Sequence, residues 1–356
     1  MNLFGESGFS VNRAQALADK IEIADSFESL LIYAEEARRI DESFLGSGLS
    51  GSLTTYGISW LNDCLAARVV ALTAEEARLP AANWCWISLG SEGRHEQTLV
   101  TDQDNGLIFS ASDEHEATLL RNVFLPFAQK VNQRLAECGF TLCSGDIMAG
   151  NPAWCRSEDE WKGLFFDWIH KPEPSALLNA SIFFDVRPLY GDFSLVAPLR
   201  ELLRKWAPNA ETFLRLMATN ALAAEPPIGF TGDVVMEKEG KEKFVDIKKY
   251  GIRIFVDAAR IMGLAHGVDS ASTRTRFLEA GEKSGMTALD VSAALQAMSE
   301  LQRLRLNHQL RAIGEGKTPD NHLHPDELST YDEAVLREGL KQAKRLQQRL
   351  KLSYRI

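Results

Sequence analysis

Between Trp84 and Phe109 the chain reads WCWISLGSEGRHEQTLVTDQDNGLIF, and the residues able to do chemistry crowd into its middle. Gly90 permits a tight turn and lets backbone N–H groups approach an anion; Ser91 adds a hydroxyl donor and Arg94 a fixed charge with a forked donor set. Eleven residues after Ser91 comes Asp102, and two residues further on Asp104. In an extended chain side chains alternate faces, so this pair projects from one side. Two carboxylates that close repel one another unless a cation sits between them, and oxygen ligands suit a hard ion such as Mg2+. An anion cradle facing a metal-binding pair points to nucleoside triphosphate chemistry.

The elements that must position these groups follow from the flanking pattern. Apolar runs on both sides of the motif predict strand, turn, strand. Upstream, residues 13 to 80 are rich in Ala, Glu, Leu and Arg, with Ile23, Phe27, Leu30, Leu31 and Ala34 at helical spacing; GSGLSGS at 46 to 52 divides this helical region and Pro80 closes it. Nothing in it looks catalytic. Downstream, Ser112 to Glu137 reads as an amphipathic helix stopped by Gly139, and residues 139 to 149, which include Asp146, have strand composition. Residues 151 to 168 read as a loop and a short helix. The apolar segment 176 to 192 contains Asp185 and Arg187, and FFDVR within it reads as a core strand with an inward acid. From Ser194 onward strand signals nearly vanish; helices are expected over 196–206, 211–224, 247–263, 288–313 and 331–352, forming a bundle. The expected division is an N-terminal helical region 1–80, a catalytic core 81–193 and a helical substrate-binding region 194–356.

With 45% hydrophobic and 25% charged residues, the 356-residue chain has the composition of a soluble globular protein with a large core. Its net charge of −10 argues against general nucleic-acid binding, which needs Lys and Arg to neutralise phosphates. No apolar run approaches the ~18 residues of a membrane span and no secretory leader is visible. The five cysteines are odd in number and never spaced as CxxC, so neither a disulfide framework nor a cysteine zinc site is indicated, and a reducing, cytoplasmic setting is expected.

The segments quoted carry a likeness. Gly90-Ser91 followed by Thr101-Asp102-Gln103-Asp104 resembles the signature of the polymerase-beta-like nucleotidyltransferase superfamily. Taken with GDIMAGNPAWC, SIFFDVRPLYGD and VDIKKYGIRIFVDAARIMGL, the chain is similar to a nucleotidyltransferase family related to protein-PII uridylyltransferase and glutamine synthetase adenylyltransferase. Many members also carry CBS or cyclic-nucleotide-binding modules, and none is recognisable here. The resemblance implies an α+β fold, a small mixed-sheet core flanked by helices. It implies Mg2+ (or Mn2+) on Asp102 and Asp104, with the NTP held by Gly90, Ser91 and Arg94. A third acid would complete the metal site and activate the acceptor hydroxyl; Asp146 is preferred for it and Asp185 is the alternative. Lys248 lies on a helical region that closes over the triphosphate in related enzymes, and either faces the leaving pyrophosphate there or is a solvated surface lysine. The implied activity moves an NMP to a hydroxyl on a protein or small molecule; the competing reading is a nucleotide-sensing protein that keeps the site without turnover.

Other residues invite plainer readings. His95 is expected to face solvent on its turn. Glu96 and Gln97 either enter the nucleotide site or open a short helix, and His322 and His324 read as loop residues. The terminal segment 331–356 is basic and amphipathic, and reads as a helix packing its leucines on the bundle.

Overall fold

The structure is a computed structural model that describes residues 8–229, 232–239 and 242–356. Its fold is α+β, with a small mixed sheet and helical flanks. The chain divides into two compact units: Met1–Leu49, Thr54–Asp167 and Ile182–Leu202 form the first, and Ser50–Leu53, Trp168–Ser181 and Leu203–Ile356 the second.

In the first unit, helices α1 (Gly8–Glu22), α2 (Phe27–Leu45) and α3 (Gly51–Ala77) precede the sheet. Strands β1 (Trp84–Ser88) and β2 (Asn105–Phe109) flank the short helix α4 (Gly90–Gly93). Helix α5 (Glu114–Glu137), strand β3 (Cys155–Ser157) and helix α6 (Glu158–His170) follow; helix α7 (Pro174–Phe183), most of which belongs to the second unit, precedes strand β4 (Arg187–Gly191). The sheet order is β3-β2-β1-β4; β1 is antiparallel to both neighbours and β2 is parallel to β3. Every residue of β2 is buried, which is why NGLIF reads as a continuous apolar run rather than an alternation. Phe109 stacks on Phe124 of α5 with ring centroids 5.2 Å apart, and the Trp161 indole N–H donates to the Leu107 carbonyl at 3.1 Å. Asp113 caps α5 by accepting from the Glu116 N–H, and Gly139, at φ +99°, turns the chain away after it.

Three expectations are corrected here. Residues 139–149 form turns and a single bridge at Thr141, not a strand, because the backbone of this segment bonds to neighbouring loops and to its own turns. Residues 176–192 contain most of α7 and then β4, so Asp185 lies in the turn between them rather than inside a strand. Strand β3 was not expected at all; at three residues it is too short to show a period.

In the second unit, α8 (Ala197–Trp206) runs into it and α9 (Glu211–Ala221), α10 (Arg253–Ala265), α11 (Thr273–Ala280), α12 (Ala288–Gly314) and α13 (Thr330–Tyr354) build the bundle. Residues Ile254 to Leu264 of α10 are all buried, so this helix is the unit's centre. The bundle is not wholly helical. Strands β5 (Glu237–Glu239), β6 (Glu242–Asp246) and β7 (His322–Leu323) form a small sheet, and the His322 ring stacks on Phe244 at 4.1 Å. The leucines of α13, from Leu336 to Leu350, are buried as expected. Among the described residues no helix is long and apolar enough to cross a membrane.

Candidate active site

Strands β1 and β2 deliver the motif to one edge of the sheet. The Leu89 N–H donates to the Asp104 carbonyl at 2.9 Å, which keeps the two chains paired one step beyond the strands. There the chain turns through Gly90 at φ +52°, and a β-carbon on Gly90 would fall 2.5 Å from Asp104 Oδ2. Glycine is therefore required twice, for the left-handed backbone and for the close approach of the turn to the carboxylate. The half-buried Ser91 hydroxyl makes no hydrogen bond to another described residue.

Asp102 is exposed and Asp104 half-buried, whereas Gln103 and Asn105 between and after them are buried. The inward residues are anchored by a carboxamide network. Gln103 Nε2 donates to the carbonyls of Asn132 and Phe140, both at 3.0 Å, and Asn132 Nδ2 donates to Gln103 Oε1 at 2.8 Å and to Asn105 Oδ1 at 3.0 Å. Asn105 Oδ1 also accepts from the Ala149 N–H at 2.9 Å. Because alternate side chains point oppositely, fixing Gln103 and Asn105 onto α5 fixes Asp102 and Asp104 outward. Thr101 Oγ1 and Asn105 Nδ2, on either side of the pair, are buried without a partner among the described residues.

The two candidates for the third acid sit in contrasting surroundings. Asp146 is exposed, in the left-handed region at φ +54°, and its carboxylate accepts from Asn151 Nδ2 at 2.9 Å. Its segment lies beside the pair: Asp102 bridges Thr141, the Gln103 N–H donates to the Thr141 carbonyl, and the Asn105 N–H donates to the Ile147 carbonyl. Within that segment the Cys143 thiol lies near Asp104, and burial followed by the Asp104 charge pushes its pKa up. Asp185 is fully buried and accepts from Arg94 Nη1 at 2.6 Å. Arg94 Nε meanwhile donates to Glu96 at 2.7 Å, so the guanidinium is clamped between two carboxylates; burial opposes its charge, but the two acids outweigh burial and hold it protonated.

A second brace lies behind the turn and had no sequence signal. Arg187 of β4 donates to Asp63 of α3 at 2.8 Å and to the Glu92 carbonyl at 3.1 Å. His95, at φ +56°, is not solvent-facing: its Nδ1 lies 3.3 Å from Asp63 and its ring 5.4 Å from that of Tyr56. Glu96 and Gln97 do not open a helix; the Gln97 N–H donates to Ser59 Oγ of α3 at 2.8 Å. Glu92 is buried at 6% exposure, accepts from the Ser88 hydroxyl at 2.5 Å, and is pushed up to about 8, chiefly by burial. Lys248 lies in the second unit, exposed at the start of the π-helical segment Lys248–Ile252.

Among the described residues no three His, Cys, Asp or Glu side chains converge into a group able to hold a metal ion by themselves. Mg2+ keeps water and substrate phosphates among its ligands and takes only one or two carboxylates from the protein. Asp102 and Asp104, facing outward beside a turn that a Cβ would obstruct, would be the protein's share of such a donor set.

A Gly-Ser turn set against an outward Asp-x-Asp pair, at one end of a small mixed sheet, is the layout that the sequence resemblance to nucleotidyltransferases implied. The chain belongs to the family described as "Putative nucleotidyltransferase DUF294", which matches residues 35–175; residues 211–354 match the companion description "Putative nucleotidyltransferase substrate binding domain". The comparison with curated proteins finds no match.

Proposed function

We propose that this chain is a Mg2+-dependent enzyme, with Mn2+ as a substitute, that moves a nucleoside monophosphate from an NTP to an acceptor hydroxyl and releases pyrophosphate. The observation that carries the reading is the apposition of Gly90 and Asp104. A glycine whose missing side chain is all that separates the turn from a carboxylate brings phosphate donors and metal ligands to one place. In this reading the Gly90–Ser91 backbone and the Ser91 hydroxyl receive the triphosphate, and Asp102 and Asp104 share the divalent ion with its phosphate oxygens. When bound, the ion would neutralise charge on the entering and leaving oxygens.

The acceptor oxygen attacks the α-phosphorus, the bond to the bridging oxygen breaks, and pyrophosphate carries off that electron pair. Asp146 takes the hydroxyl proton; its exposure and its segment's place beside Asp102 and Asp104 favour it over the ion-paired, fully buried Asp185. Arg94 holds the turn, because Glu96 and Asp185 occupy its guanidinium. Lys248 serves the departing pyrophosphate. The second unit selects the acceptor, a protein or a small molecule, in keeping with the description of the family that matches it.

The test is transfer of label from each α-labelled NTP, with Mg2+ or Mn2+, into an acceptor pool from a cell lysate, the Asp102→Asn/Asp104→Asn variant serving as control. Label that reaches a discrete acceptor only with the wild type and only with metal establishes the activity. Metal-dependent NTP binding, lost in the variant but with no transfer for any NTP, replaces the enzyme by a nucleotide sensor.

A further inference from the structure

The first unit holds a cavity of about 380 Å3 whose lining includes none of the site residues. Helix α1 contributes Asp19 and Glu22, α3 contributes Trp60, Cys64 and Arg68, and β4 contributes Tyr190. The volume falls within the range of small-molecule sites and is far larger than a bare ion needs.

The charge of this cavity is uncompensated. Asp19 accepts only from the neutral Gln15 amide, at 2.8 Å, and Glu22 meets no basic side chain among the described residues. Arg68 is the one base in the wall, and it is turned to other partners: its Nε donates to the Ala24 carbonyl at 2.8 Å, and Nη1 lies 3.5 Å from Glu75. The Cys64 thiol registers the same field, since burial first, then Asp63, Glu22 and Asp19, push it up to about 11. Two aromatic rings complete the wall, and the faces of Trp and Tyr attract cations.

We infer that this cavity binds a small organic cation bearing an ammonium group, with Asp19 and Glu22 matching its charge and Trp60 and Tyr190 packing on its carbon atoms. The inference does not depend on the catalytic reading. Two of its walls nevertheless continue into the brace behind the phosphate turn: Cys64 follows Asp63, and Tyr190 lies three residues after Arg187 on β4. A bound cation therefore sits against the two elements that hold the turn in place.

The full chain tests this with two probes, tetramethylammonium and putrescine, each against sodium chloride at equal ionic strength. Isothermal titration should show saturable binding of at least one, weakened about tenfold by Glu22→Gln and further by adding Asp19→Asn. Both carboxylates are exposed, so these variants keep the fold, which their melting curves verify. In parallel, a cationic thiosulfonate should modify Cys64, mapped by mass spectrometry, about tenfold faster than its anionic counterpart, and the bound probe should slow it. Protection by tetramethylammonium alone identifies a quaternary ligand, and by putrescine alone a primary amine. Absence of saturable binding by both probes, or binding that the carboxylate variants leave unchanged, overturns the inference whatever the thiol does.

Discussion

Gly90 and Asp104 touch across the mouth of the sheet: with φ +52° at the glycine and Asp104 Oδ2 only 2.5 Å from where a β-carbon would stand, the turn and the carboxylate share one space. Gly90→Ala should therefore do two separable things. It should cost about 1–2 kcal/mol in urea unfolding for the left-handed backbone. It should also displace Asp104, and so lower metal-dependent NTP affinity by more than that stability loss explains. Equal affinity in wild type and variant, read by calorimetry, would remove the turn from the nucleotide site.

Arg94 Nη1 donates to the buried Asp185 carboxylate at 2.6 Å. Arg94→Ala should destabilise the protein by about 3–5 kcal/mol, because it removes a charged, hydrogen-bonded partner from a buried carboxylate. Arg94→Lys should recover only part of this, since a point charge cannot reproduce bonds to both Glu96 and Asp185. Urea midpoints of the two variants check the order.

Glu92 gives the protein a pH dependence of defined sign. Its carboxyl stays protonated to about 8 in the folded state, against 4.5 ordinarily, so the stability associated with the neutral form is complete below about 4.5 and is lost as pH rises through about 8. Glu92→Gln keeps a neutral side chain and escapes that loss. Unfolding curves at pH 5, 7 and 9 should show the variant gaining on the wild type as pH rises, by about 2–4 kcal/mol in total. A constant difference across this range would mean that Glu92 is ionised in the folded protein at neutral pH.

Cys143 should report on occupancy of the candidate site. Burial and the neighbouring Asp104 charge raise its pKa, so alkylation should be slow at neutral pH and accelerate in alkali. Once alkylated, the protein should lose NTP binding, and NTP with Mg2+ should protect it. Cys143→Ser should keep nucleotide binding after the same treatment.

Much of the site could be read from the sequence because its logic is local. The two-residue spacing of Asp102 and Asp104 survives as an exposed and a half-buried carboxylate, with Gln103 and Asn105 turned inward. What stayed hidden depends on distant partners. Arg187 lies 124 residues from Asp63, and nothing in either segment announces the pairing. Glu92 resembles any acid in a Gly-rich turn until the sheet closes over it. The segment around Asp146 has the composition of a strand, yet the Asn151 side chain and the Trp154 indole both bond to the Asp146 carbonyl and hold it as a turn. Residue composition records a preference for extended backbone; it does not record competition from side chains a few positions on.

Helix α3 supplies Tyr56, Ser59 and Asp63 to the back of the turn, although none of them belongs to the motif. A truncated protein beginning after Pro80 would retain every signature residue and lose the wall they rest on. Trimming, grafting or shuffling this core must therefore carry the preceding helix along with it.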